Sequence, residues 1–159
     1  MYKSILDYFE KTVAANPDKA ALIHREDSCS FTELMQRGQK LGSLLSCLLK
    51  QSMFSPIVVL LPKSIDSVTA DIGILYSSNV FNNLDIKTPV QRLENIIKQL
   101  KPAAVITEEK YSDLIDWKKY QMEVVEIDKL DFDQMSIDPE MLQKNREKLI
   151  DTDPFCIIN

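Results

Sequence analysis

The chemistry open to this chain is narrow, because the residues that usually do it are few and scattered. His24 is the single histidine among 159 residues. A nucleophile–base–acid triad would need a hydroxyl or thiol and an orienting carboxylate around it, and no nucleophile-elbow or cysteine motif is present. His24 therefore reads as a structural or surface residue on a strand. Cys29, Cys47 and Cys156 lack paired spacing and have no second histidine to help them, so neither a zinc site nor a disulfide framework is expected. Asp131-Phe132-Asp133 begins like a calcium loop. It then places Ser136 where the sharp turn needs glycine and Leu142 where a bidentate Glu belongs, and so reads as a solvated acidic loop. Trp117 and the tyrosines follow no basic stripe on which bases could stack.

Glycine is scarce. Gly38, Gly42 and Gly73 are the only three, where average usage of about 7% would give roughly eleven. A phosphate-cradling loop needs glycine to turn tightly and to let the backbone approach the phosphate, and nothing here resembles GxGxxG or a P-loop. Spacing alone assigns no catalytic residue, no cofactor-binding residue and no metal ligand in this chain.

Composition supports a folded domain. Apolar residues make up 45% and charged residues 27%, and 159 residues suffice for a core of their own. A net charge of −5 argues against nucleic acid or an anionic membrane as partner. Asp7, Glu10 and Lys11 interrupt the opening Met1-Tyr2-Lys3-Ser4-Ile5-Leu6, so it lacks the apolar stretch of a secretory signal. The longest aliphatic run, Ile57 to Leu61, is far too short to span a membrane. A reducing cytoplasm is the expected location.

The elements alternate. Ser4 and Asp7 have capping-box spacing and open a helix to Ala15, which Asn16-Pro17 ends. Ala20 to His24 is a short strand turning at Glu26-Asp27-Ser28. Ser30-Phe31-Thr32-Glu33 is a second box, opening a helix to about Lys50; within it Gly38 and Gly42 predict close packing on a sheet. Pro56 to Leu61 has the pattern of a strand buried on both faces. Ser64 caps the next helix, with Asp66 near its positive end. Val80 to Leu84 is a strand, and Thr88-Pro89 with Gln91 predicts a capped helix stopped by Lys101-Pro102. Ala103 to Thr107 is a third buried strand, Lys110 to Trp117 a helix, and Met122 to Ile127 an edge strand. Asp138-Pro139 caps a short helix reaching Leu149, and Phe155 to Ile158 is expected as a last strand inside the core. Strands and helices in this order imply an α/β fold, a mostly parallel sheet with helices on both faces.

Several of these segments together resemble the amino-terminal region of the AMP-forming, adenylate-forming ligases, the superfamily of acyl-CoA synthetases, luciferases and amino-acid adenylation domains. Ile5 to Phe9 and Asn16 to Leu22 resemble its opening helix and first strand. Ser30-Phe31-Thr32-Glu33-Leu34 is similar to its Ser/Thr-Tyr-x-Glu-Leu motif. Ile57 to Ser64 resembles the strand and helix start that follow, and Lys101 to Thr107 a later strand. Gly73-Ile74-Leu75 through Phe81 to Leu84-Asp85, Pro89 and Arg92-Leu93 is similar to its second motif, closer to amino-acid adenylation members than to acyl-CoA synthetases. Two residues depart from that motif: Ser78 stands where the family usually has glycine and Asn83 where it usually has proline.

The resemblance implies that residues 1–159 are a truncated amino-terminal subdomain lacking the phosphate loop and the carboxyl-terminal lid domain. The intact enzyme would use ATP and Mg to turn a carboxylic acid, an amino acid on this pattern, into an acyl-adenylate before transfer to a thiol. That thiol would belong to coenzyme A or to the phosphopantetheine arm of a carrier protein. The first partner of this chain would then be the carboxyl-terminal remainder of its own polypeptide. Alone it is expected to be inactive and to self-associate through exposed apolar surface and sheet edge. The competing expectation is a complete small α/β interaction or regulatory module. A last strand on the rim of the sheet would count against the scaffold reading.

Overall fold

A computed structural model describes residues 3–159; of the opening segment weighed above as a signal sequence, Met1 and Tyr2 lie outside them. Helix α1 (Ile5–Ala15) begins where the Asp7 carboxylate accepts from the Ser4 N–H at 3.0 Å. It is followed by strand β1 (Ala20–His24), which pairs antiparallel with β2 (Asp27–Ser30). Helix α2 (Phe31–Leu48) starts from the expected box: the Glu33 N–H donates to Ser30 Oγ at 3.1 Å and the Ser30 N–H to Glu33 Oε2 at 2.7 Å. Then come β3 (Pro56–Leu60), α3 (Ile65–Tyr76), β4 (Val80–Leu84), α4 (Val90–Leu100), β5 (Ala104–Thr107), β6 (Glu123–Glu126) and α5 (Pro139–Arg146).

The main sheet has the order β4-β3-β5-β6, and all three pairings are parallel. Parallel neighbours need a crossover: α3 supplies it from β3 to β4, α4 from β4 to β5, and the segment 108–122 from β5 to β6. Because side chains alternate across a strand, β3 feeds two cores. Ile57, Val59 and Leu61 join Ala104 and Ile106 under Leu41 and Leu45 of α2 and Ile74 of α3. Val58 and Leu60 join Val105 on the other face, under Leu93 and Ile97 of α4 and Trp117. The aliphatic run is thus buried on both sides, as its sequence predicts.

Five expectations need correction. The expected turn at Glu26 to Ser28 is instead a tight hairpin at Arg25-Glu26, where Arg25 takes φ 58. Gly38 and Gly42 pack on helix α3 and not on a sheet: a Cβ on Gly42 would lie 2.6 Å from Tyr76 Cβ and 3.1 Å from the Gly73 carbonyl. The helix expected over Lys110 to Trp117 divides into two 3₁₀ segments, Glu109–Leu114 and Trp117–Tyr120. Helix α4 starts without a Thr88 cap; Pro89 occupies the cap position and no side chain bonds there. Asp85 organises the preceding turn instead, its Oδ1 accepting from the Lys87 N–H at 2.8 Å and its carbonyl from the Thr88 N–H at 2.9 Å.

The fifth concerns the end of the chain. Phe155 to Ile158 forms a single parallel bridge, Cys156 with Phe81, on the outer side of β4. Phe155 and Ile158 are exposed. This segment lies on the rim, against the expectation of an inner strand, and on that point it counts against the scaffold reading; the layered parallel sheet flanked by helices, on which that reading also depends, is present. The segment's backbone still follows the sheet: the Phe81 N–H donates to Phe155 O at 3.2 Å and the Ile157 N–H to Phe81 O at 2.9 Å.

Candidate functional site at the carboxyl edge of the sheet

In an open parallel sheet, ligands sit beyond the carboxyl ends of the strands, where successive crossovers leave in opposite directions. Here that point lies between β3, from which the chain crosses to β4 on one side, and its neighbour β5, from which it crosses to β6 on the other. A cleft of about 830 Å³ opens at this edge between the turns after β3 and β4, with Lys63, Ser64, Ser67, Asp71, Asn83 and Lys87 among its lining residues.

Local sequence explains each wall. Pro62 and Lys63 end β3, and Ser64 then caps α3: the Ser67 N–H donates to Ser64 Oγ at 3.2 Å and the Ser64 N–H to Ser67 Oγ at 3.0 Å. Asp66, in the first turn as expected, is held by Arg37 of α2 at 2.8 Å. At the carboxyl end of β5, the buried Thr107 hydroxyl donates to the Leu60 carbonyl of β3 at 3.0 Å.

Asp71 and Asn83 are the polar centre, and the sequence alone does not pair them. Asn83 Nδ2 donates to Asp71 Oδ2 at 3.1 Å, while Asp71 Oδ1 is buried with no partner. Burial pushes the Asp71 carboxyl up from 3.8 to about 6, against the opposing pull of the Asn83 hydrogen bond. The one legible signal was an acidic residue between Ala70 and Ile72, in the apolar run of α3. Asn83 occupies the position where the resembled family usually has proline.

The residues considered for catalysis stay apart. His24 ends β1, Cys29 is buried in β2, Cys47 is exposed on α2 and Cys156 lies beside β4. Among the described residues no group of three or more His, Cys, Asp or Glu could hold a metal. The Asp131-Phe132-Asp133 turn is a strap on α2: Arg37 lies 4.6 Å from the Phe132 ring centroid, and Lys40 Nζ donates to the Phe132 carbonyl at 2.6 Å. No helix among the described residues is long and apolar enough to cross a membrane. Among the described residues that line the cleft, Asp71 is paired with Asn83 and no nucleophile is hydrogen-bonded to a base.

A sequence model of the family described as AMP-binding enzyme matches residues 9–158. The chain belongs to the AMP-binding enzyme family. It is 30% identical to tyrocidine synthase 1 of Brevibacillus parabrevis over 132 residues, 82% of this chain and 12% of that protein. It is 32% identical to cyclosporin synthetase of Tolypocladium inflatum over 100 residues, 61% of this chain and 1% of that one. The chain therefore spans only a small part of these relatives. In fold it is similar to a benzoate CoA ligase from Burkholderia xenovorans, with TM-score 0.76 at 15% identity, covering 87% of this chain and 30% of that one. It is also similar to the nonribosomal peptide synthetase FmoA3, with TM-score 0.74 at 20% identity, covering 84% of this chain and 14% of that one. The resemblance read from the sequence is thus shown, and the parallel sheet flanked by helices is the fold of an adenylate-forming ligase region.

The glycines of this chain are not placed to form a phosphate loop. All three glycines sit at the contact between α2 and α3, where added Cβ atoms would meet helix atoms at 2.5 to 2.7 Å. None of them is free to form a phosphate cradle. Ser78, where the family usually has glycine, keeps a left-handed backbone at φ 59.

Proposed function

We propose that this chain is the amino-terminal scaffold of an ATP- and Mg-dependent, AMP-forming ligase that activates an amino acid as its acyl-adenylate and hands it to a thiol. The observation that carries the reading is the family match over residues 9–158, on a parallel sheet in which the matched motifs occupy successive elements. The choice of an amino acid is supported by Leu84-Asp85, Pro89 and Arg92-Leu93, and by relatives whose names are those of peptide synthetases. The thiol acceptor is coenzyme A or a phosphopantetheine carrier, and the setting is the cytoplasm.

In this division of labour the chain's own residues position and support. Adenylation depends on holding the carboxylate in line with the α-phosphate and on neutralising phosphate charge, and the glycines here are committed to helix packing. The 159-residue chain by itself should lack ligase activity and bind ATP weakly or not at all. ATP–pyrophosphate exchange with a panel of amino acids tests this: background rates are expected, and clear exchange dependent on a cognate acid overturns it.

The remainder of the polypeptide would cover the apolar surface that now faces solvent at Ile5, Ile150, Phe155 and Ile158. Uncovered surface of this kind associates. Light scattering of the isolated chain should show mass rising with concentration; a strict monomer at high concentration counts against this part of the reading.

A further inference from the structure

A cavity of about 490 Å³ opens at the amino ends of β5 and β6, the edge of the sheet opposite the cleft. Pro102, Tyr120 and Met122 line its floor, and Tyr120 and Met122, half-buried against the core under α4, keep apolar surface that an occupant can touch. Lys98, Lys101 and Lys119 stand around it, all exposed, and no carboxylate lines it. That is a departure in a chain whose acids outnumber its bases 24 to 19.

The charges come from two elements. Lys98 and Lys101 close α4, where the helix dipole favours cations. That dipole does not account for Lys119, which arrives on the 3₁₀ segment Trp117–Tyr120. Lys119 lies 3.8 Å from Glu94 with its side chain 56% exposed, a contact of little worth. Among the described residues no acid pairs with Lys98 or Lys101. Lys101 holds a left-handed backbone at φ 48, and Gln121, another lining residue, one at φ 54. Glycine would take the Lys101 conformation with less strain. Lysine there gives the cavity a charge that glycine cannot.

We propose that this cavity binds a small organic dianion with an apolar body, such as an aryl phosphate monoester, its head group among the three ammonium groups and its body on Tyr120 and Met122. Cavities of a few hundred Å³ that join apolar walls to a few convergent polar groups are the usual small-molecule sites. Flexible lysine stems from two elements can converge on one multivalent head group, whereas a single negative charge would engage one of them. The site shares no residue with the carboxyl-edge cleft, and its occupancy does not depend on ligase activity.

The test uses the purified 159-residue chain and three probes, 1-naphthyl phosphate, 1-naphthol and inorganic phosphate, with affinities from NMR titration. The naphthyl phosphate should bind saturably, shift the Tyr120 and Met122 signals, and exceed each of the other two about tenfold or more in affinity. Lys101→Gly removes a charge while relaxing the left-handed backbone, and Lys119→Gln removes one from an exposed position, so folding is not at issue in either. Each should weaken the naphthyl phosphate about two- to fivefold, the worth of one exposed charge, and leave 1-naphthol unchanged. Lys63→Gln, at the carboxyl-edge cleft, should change none of the three affinities. No saturable binding, a naphthyl phosphate no tighter than its two parts, an affinity untouched by Lys101→Gly or by Lys119→Gln, or one lost in Lys63→Gln each overturns the proposal.

Discussion

Arg146, the last residue of α5, reaches back to Glu10 of α1, its Nη1 donating to Glu10 Oε1 at 2.6 Å across 136 residues of sequence. Its other terminal nitrogen donates to Asp7, and Tyr76 Oη donates to the same Glu10 oxygen at 3.0 Å. Three helices, α1, α3 and α5, are tied at one half-buried guanidinium. Burial alone would raise the Asp7 carboxyl, but hydrogen bonds from Arg146 and from the Lys3 and Ser4 N–H groups outweigh it and hold the group below its ordinary value.

Removing the guanidinium should therefore cost more than a surface ion pair. Arg146→Met keeps the aliphatic stem and leaves two partly buried carboxylates unpaired. Urea denaturation should show a loss of about 2 kcal/mol, between the values for an exposed pair and for a buried one. The Asp7 contribution runs with its lowered value: it is complete above the unfolded carboxyl near 3.8 and disappears as pH falls through the folded one. The gap between wild type and Arg146→Met should accordingly narrow in strong acid.

The α2–α3 contact makes a second, ordered prediction. Alanine is a better helix former than glycine by about 1 kcal/mol, so Gly→Ala in α2 would stabilise if space allowed. At Gly42 the new methyl meets Tyr76 Cβ at 2.6 Å and a backbone carbonyl at 3.1 Å, neither of which can swing aside. At Gly38 its nearest neighbour is Ile72 Cγ2 at 2.5 Å, the end of a side chain. Gly42→Ala should lose about 1–3 kcal/mol by overpacking and Gly38→Ala distinctly less. Equal losses in thermal denaturation would contradict this geometry.

These contacts mark the limit of what the sequence makes legible. The parallel sheet is readable because Ile57 to Leu61 and Ala103 to Thr107 are aliphatic runs set between Ser30, Ser64 and Asp138 caps, each a local signal. Strand β2 is not, because Asp27-Ser28-Cys29-Ser30 has no apolar alternation and its hairpin turns on Arg25 where glycine or asparagine would announce it. Phe155 to Ile158 has strand composition, but only three dimensions show it on the rim. At the carboxyl-edge cleft, Lys63 and Ser64 follow from the end of β3 and the start of α3. The Asp71–Asn83 pair does not, since Asp71 sits on α3 and Asn83 on β4 and the two meet only where the helix packs back beside the strand.

A smaller effect is expected at the end of α4. Lys101 closes this helix in the left-handed conformation at φ 48, where its N–H donates to the Ile97 carbonyl. Glycine is the residue usually found in that cap, because it has no Cβ to clash. Lys101→Gly should stabilise the fold by about 0.5–1 kcal/mol in chemical denaturation. A loss would mean that the lysine side chain contributes more than its backbone costs.

Asp71 gives stability an unusual pH dependence. Its carboxyl titrates near 3.8 unfolded and at about 6 in the fold. Between those values the folded chain holds a proton the unfolded chain has released, so stability falls as pH rises and the fall is complete above about pH 7. Allowing for partial exposure, the loss is on the order of 2 kcal/mol. Asp71→Asn removes the titration while keeping the shape, so wild type should lose ground to Asp71→Asn between pH 4 and pH 7 by about that amount. Asn83→Ala deletes the one hydrogen bond that favours the ionised form, which should carry the midpoint of this loss to higher pH. A wild-type minus Asp71→Asn difference that stays flat across this range would mean that the Asp71 carboxylate is better solvated in the cleft than its buried Oδ1 indicates.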